Sequence, residues 1–127
     1  MAGSIFVVED DLSQINSLYK MLELYMPEYH FEIYQSGKKA LTNFKEGKYV
    51  LAIIDLLLKG SRIQGPDIIK KIRKLDSSIE IIVVTGMEYG ASPLDKTYDE
   101  LQPITWKKKP IKASVLEYTI RQLTSKS

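Results

Sequence analysis

Glu9, Asp10 and Asp11 follow the aliphatic run SIFVV, and Asp55 stands alone among aliphatic residues in VLAIIDLLLKG, residues 50–60. Thr85 closes IEIIVVT, and Lys109 ends a run of three lysines. An Asp is disfavoured within a strand and costly to bury unpaired, so Asp55 needs a compensating partner. Two carboxylates about 4 Å apart repel by roughly 4 kcal/mol at an effective dielectric near 20, so Glu9, Asp10 and Asp55 brought together would take up a proton or hold a cation. Lys109 supplies one positive charge. A hard, oxygen-seeking Mg²⁺ would bring the three carboxylates and the lysine to neutrality and leave a position open to a phosphate oxygen. Taken singly, each residue also has a plainer reading. Glu9 and Asp10 would be solvated loop acids or complements to a helix dipole, Thr85 a strand residue, and Lys109 part of a lysine-rich edge. Asp11 is assigned that plainer role, as a helix N-cap.

Convergence requires elements that carry these residues to one place. Five β-branched or aliphatic runs stand out at 4–9, 30–34, 50–55, 79–85 and 104–108, with helical periods between them. Residues 12–26 set Leu12, Ile15, Leu18, Leu22 and Met26 on one stripe, with Asp11 and Gln14 spaced as a capping box. Ser36 caps a second helix through Ala40, Leu41 and Phe44, which Gly47 closes. Gly65 and Pro66 open a third, whose buried face is Ile68, Ile69, Ile72 and Leu75. Ser92, Pro93 and Asp95 open a short fourth with Leu94, Tyr98 and Leu101 inward, and Pro103 stops it. The last helix buries Val115, Leu116, Ile120 and Leu123.

Strands alternating with helices at this spacing predict an α/β fold, a flavodoxin-like doubly wound parallel sheet of order 2-1-3-4-5 with five helices. The first, third and fourth runs are continuously apolar, as strands buried on both faces are. Lys107 and Lys108 mark the fifth as an edge. In such a sheet ligands bind beyond the carboxyl ends of the strands where the winding reverses. Glu9, Asp10, Asp55, Thr85 and Lys109 all fall at that end.

The bulk numbers narrow the function. The 127 residues fit one domain over 1–127 with an ordered core over about 4–123. With 18 basic and 16 acidic residues the net charge is +2, too little for direct nucleic-acid or membrane binding by field alone. No cysteine is present, which excludes thiolate chemistry and agrees with a cytoplasmic location. No apolar run approaches the ~20 residues of a membrane span. His30 opens an edge strand without a ligand partner and reads as a surface residue; the eight tyrosines read as amphipathic packing.

On the acidic pair in VVED, Asp55 in AIIDLLL, Thr85 with Gly86 in VVTG and Lys109 with Pro110 in KKKP, the chain resembles a response-regulator receiver domain of the chemotaxis-regulator kind. Such a module accepts a phosphoryl group from a sensor histidine kinase or phosphotransfer protein. The resemblance implies that Asp55 is the phosphoacceptor and that Glu9, Asp10, Asp55 and the main-chain oxygen of Leu57 hold Mg²⁺. It implies too that Lys109 pairs with phosphoryl oxygens, that Thr85 is a switch hydroxyl and that Trp106 occupies the place of a mobile aromatic. The face of the fourth helix, fifth strand and last helix would then address a downstream protein, an output domain or a phosphorylation-dependent dimer partner.

Two departures carry consequences. Lys59 stands where the family commonly has Pro, and the loop to Gly65 is about two residues longer than usual. Leu57 and Met87 fill, with apolar side chains, the two positions that tune loss of the phosphoryl group, so the protein is expected to act as a signalling phosphoacceptor with slow autodephosphorylation rather than as an enzyme. Two rival readings remain open. A phosphohydrolase with an aspartyl nucleophile usually has a second Asp at the position of Leu57; a pseudo-receiver acting irrespective of phosphate often lacks these acids.

Overall fold

The computed structural model describes residues 3–56, 58, 62–86, 96 and 98–125. The chain alternates β1 (Gly3–Val8), α1 (Leu12–Tyr25), β2 (Tyr29–Tyr34), α2 (Gly37–Asn43), β3 (Tyr49–Asp55), α3 (Gly65–Leu75) and β4 (Glu80–Thr85). A 3₁₀ turn (Asp99–Leu101), β5 (Ile104–Lys108) and a C-terminal helix α4 (Ala113–Thr124) complete it. The strands form one parallel sheet in the order β2-β1-β3-β4-β5, the flavodoxin-like arrangement expected. Four complete α-helices are present among the described residues, and Lys96, within the span of the expected fourth helix, is also helical. Of the expected fourth helix, Ser92, Pro93, Leu94 and Asp95 lie outside the described residues, and its end is the 3₁₀ turn, in which Leu101 N–H donates to the Tyr98 carbonyl at 3.0 Å.

The three central strands are buried on both faces because alternate residues feed separate cores. Phe6, Val8, Ile54, Ile81 and Val83 face α2 and α3, packing with Ala40, Ile68 and Ile72. Ile5, Val7, Leu51, Ile53 and Ile82 face α1 and α4, packing with Met21, Met26, Leu116 and Ile120. Each such aliphatic side chain, fully buried, contributes about 1.5–3 kcal/mol relative to exposure. No helix among the described residues is long and apolar enough to cross a membrane.

The helix faces differ from expectation at their ends. Leu12 is 64 % exposed while Met21 is buried. At 100° per residue Leu12 falls roughly a third of a turn from Leu18, whereas the buried Ile15 and Met21 flank Leu18 at about 60° on either side. Leu75 and Val115, also expected inside, are exposed at 36 % and 40 %. Leu75 is the last residue of α3, and in α4 the inward position near Val115 is taken by Thr119, whose hydroxyl donates to the Val115 carbonyl at 2.8 Å. Gly47 does not close α2, which ends at Asn43 with Phe44 as its C-cap. It takes a left-handed φ of 77° in the turn leading to β3, a conformation that favours glycine. Asp11 does cap α1, accepting from the Ser13 and Gln14 backbone N–H groups at 2.8 and 3.3 Å.

Candidate functional site

Register places the polar residues in one row. Val8 pairs with Ile54, so Glu9 and Asp55 come next on neighbouring strands. Asp55 pairs with Val84, which puts Thr85 one residue beyond, and Thr85 pairs with Lys108, which puts Lys109 one beyond again. The Lys109 N–H donates to the Thr85 carbonyl at 2.8 Å, fixing where that side chain departs. Glu9 and Asp55 therefore stand level, and the row advances by one residue on β4 and by one more on β5 around the crevice where the winding reverses.

Three of the sequence-predicted acids meet there. One oxygen each from Glu9, Asp10 and Asp55 lies within 4.8 Å of the others. Glu9 and Asp55 are buried and Asp10 is half-buried. The Lys109 ammonium donates to Asp55 Oδ2 at 3.0 Å and to both Glu9 oxygens at 3.3 Å. Glu9 Oε1 also accepts from the Asp11 N–H at 3.2 Å. Burial, reinforced by the Asp55 carboxylate, pushes Glu9 up to about 7, against the pull of Lys109. Burial opposes the charge of Lys109, but Asp55 and then Glu9 more than offset it, so its pKa lies above the ordinary lysine value.

Three carboxylates against one ammonium leave two negative charges in a largely buried pocket. The raised pKa of Glu9 marks a donor set short of positive charge, and an all-oxygen set of this kind suits Mg²⁺. Glu9, Asp10 and Asp55 are the residues that fit the ion. Leu57, whose main-chain oxygen was expected to join them, lies outside the described residues, as do Lys59 and Met87.

Thr85 and Trp106 are not in the acid cluster. Thr85 is buried at the end of β4. Trp106 pairs in register with Val83 and so shares its sheet face with Thr85. Its ring meets Tyr98 edge-on, with centroids 4.8 Å apart and planes at 79°. Sequence periodicity marks Tyr98 as an inward residue but carries no sign of this pairing. Gly65 is a second residue whose importance only the structure shows. A Cβ there would lie 2.5 Å from the Asp55 carbonyl oxygen and 2.6 Å from Leu56 Cα, so only glycine lets α3 start this close to the end of β3.

Comparison with known proteins agrees with this geometry. A family model described as "Response regulator receiver domain" matches residues 5–118. The uncharacterized transcriptional regulatory protein YkoG of Bacillus subtilis (strain 168) is 31 % identical over 100 residues, which is 71 % of this chain and 42 % of that protein. The chain thus spans less than half of the curated relative it matches. Among solved structures, a CheY-like response regulator receiver domain protein from Methanospirillum hungatei JF-1 superposes with a TM-score of 0.80 at 23 % identity, covering 97 % of this chain and 94 % of that one. The non-phosphorylated HemR receiver domain from Leptospira biflexa gives 0.83 at 20 % identity, covering 98 % and 96 %. At those identities the structural likeness shows the fold, and the family rests on the sequence model across nearly the whole chain: the protein belongs to the response regulator receiver domain family of two-component signalling.

Proposed function

We propose that Asp55 accepts a phosphoryl group from a phosphohistidine on a sensor histidine kinase or phosphotransfer protein. The chain would thereby serve as switch or carrier in a two-component system or phosphorelay. The observation that carries this reading is the Lys109 ammonium held at 3.0 Å from Asp55 and 3.3 Å from Glu9, where three carboxylates converge. Mg²⁺, when bound by Glu9, Asp10, Asp55 and the Leu57 main-chain oxygen, supplies positive charge against the phosphoryl oxygens.

The chain's own residues do the rest. The aliphatic strand holds Asp55 rigidly while one carboxylate oxygen attacks phosphorus in line; the P–O bond forms as the P–N bond breaks, and its electron pair returns to the donor imidazole. Lys109 pairs with an equatorial oxygen. Thr85 then turns its hydroxyl to donate to the acyl phosphate, Gly86 lets the backbone follow, and Trp106 fills the space released. The face of β5 and α4 changes with it, which a downstream protein, an output domain or a second receiver would read.

Acetyl phosphate with Mg²⁺ should load one phosphoryl group per chain in the wild type and none in Asp55→Asn or with a chelator present; equal labelling of Asp55→Asn overturns the reading. Because apolar residues occupy positions 57 and 87, the acyl phosphate should persist well beyond seconds after removal of the donor. A half-life of seconds contradicts that part.

A further inference from the structure

The small net charge of +2 conceals one strongly basic layer. α2, α3 and the turn after α2 carry Lys38, Lys39, Lys45, Lys70, Lys71 and Lys74, all exposed and none ion-paired among the described residues. Lys48, exposed beside them, pairs with Glu32 at 2.6 Å. Carboxylates on this side are fewer and mostly engaged: Asp67 accepts from the Gln64 N–H and Asp76 from the Ser78 and Ile79 N–H groups, which leaves Glu46. Across the sheet, α1, α4 and the turn after α1 set Glu23, Glu28 and Glu117 among Lys20, Lys112 and Arg121, and no such excess arises.

The basic layer also has an apolar seam. Gly37 lies against Ile63, so that flank of α2 faces the start of α3, and Leu41 is only about 40° round from it. On α3, Arg73 reaches from one flank to the Leu101 and Pro103 carbonyls, while Lys71 and Leu75 lie about 160° away, on the flank toward α2. Leu41 is half-buried and Leu75 is 36 % exposed. The two leucines therefore line a furrow between the helices, with Lys38 and Lys71 on its rims.

We propose that this furrow docks an acidic amphipathic helix of a partner protein, with apolar residues on Leu41 and Leu75 and carboxylates beside Lys38, Lys71 and Lys74. Phosphates of a nucleic acid or of lipid headgroups would meet the lysines but offer no apolar stripe to cover the leucines. Arg73, which could fork onto phosphate, is committed to three carbonyls. The furrow lies apart from the face of β5 and α4, and docking there requires no phosphoryl group.

The test is fluorescence anisotropy of a labelled helical peptide with leucines along one stripe and glutamates flanking it, titrated with the intact chain at low salt. The same peptide with glutamines for the glutamates should bind at least tenfold more weakly. Lys38→Gln with Lys71→Gln should weaken the glutamate peptide roughly fivefold, as two exposed ion pairs do, and Leu75→Gln about threefold. Lys20→Gln with Lys112→Gln makes the same change in net charge on the other layer and should leave the affinity unchanged. Every substituted side chain is exposed, and urea midpoints check that each variant folds. No binding of the glutamate peptide, equal weakening by both double variants, or indifference to Leu75→Gln overturns the inference. Tighter binding of duplex DNA or of phosphatidylserine vesicles, lost with Lys38 and Lys71, overturns it in favour of a phosphate partner.

Discussion

Glu9 is where the electrostatics of the site are most exposed to measurement. Its folded pKa near 7 lies above its ordinary value of 4.5, with burial as the first cause and Asp55 as the second. In the metal-free protein the folded state therefore binds more protons than the unfolded state across that interval. The stability gained from protonated Glu9 is complete below about 4.5 and lost as pH rises through about 7. The urea midpoint of the metal-free chain should fall between pH 5 and 7.5, and Mg²⁺ affinity should rise over the same range because the ion displaces a proton. A flat midpoint with pH-independent Mg²⁺ binding would falsify the account of Glu9. At this scale the sequence was unusually informative: a single carboxylate in an aliphatic strand has few alternatives. The different burial of adjacent Glu9 and Asp10 was not legible, because it depends on which way each side chain turns once the strand has ended.

Elements place these residues, and their junctions hold contacts with no sequence signal. Arg73, on α3, donates to the Leu101, Pro103 and Asp76 carbonyls at 2.6, 2.7 and 3.2 Å, tying α3 to the segment entering β5. Removing a partner from these partly buried carbonyls leaves them less well satisfied, so Arg73→Ala should cost on the order of 1–3 kcal/mol in urea denaturation. Arg73→Lys should recover less than half of that, because one ammonium cannot span three acceptors held by a planar fork. Full recovery by lysine would show that the contact is only a charge. Periodicity identified Ile68, Ile69 and Ile72 as the buried side of the same helix, since burial repeats along a helix. It says nothing of an arginine that reaches sideways over the end. The same limit shows at Leu12, Leu75 and Val115, apolar residues near helix ends that stay exposed.

Across the whole molecule, the sheet order follows from alternation of strands and helices and from the three continuously apolar strands, which is why the architecture was readable before any coordinate. Less readable was what lies between site and surface. Thr85 and Trp106 share a sheet face, and Tyr98, almost wholly buried, stands edge-on against Trp106. As the only tryptophan, Trp106 should change its fluorescence when Mg²⁺ and a phosphoryl mimic are added together; indifference to both would remove it from the switch. Under the proposed function, the phosphoryl group would enter at Asp55, where three acids and Lys109 meet. The most direct test is to load the chain with acetyl phosphate and Mg²⁺, reduce the acyl phosphate with borohydride and locate the modified residue by tandem mass spectrometry. The account predicts modification at Asp55 alone, absent when a chelator is present. Modification at Glu9, Asp10 or any other carboxylate, or at Asp55 without the metal, would contradict it.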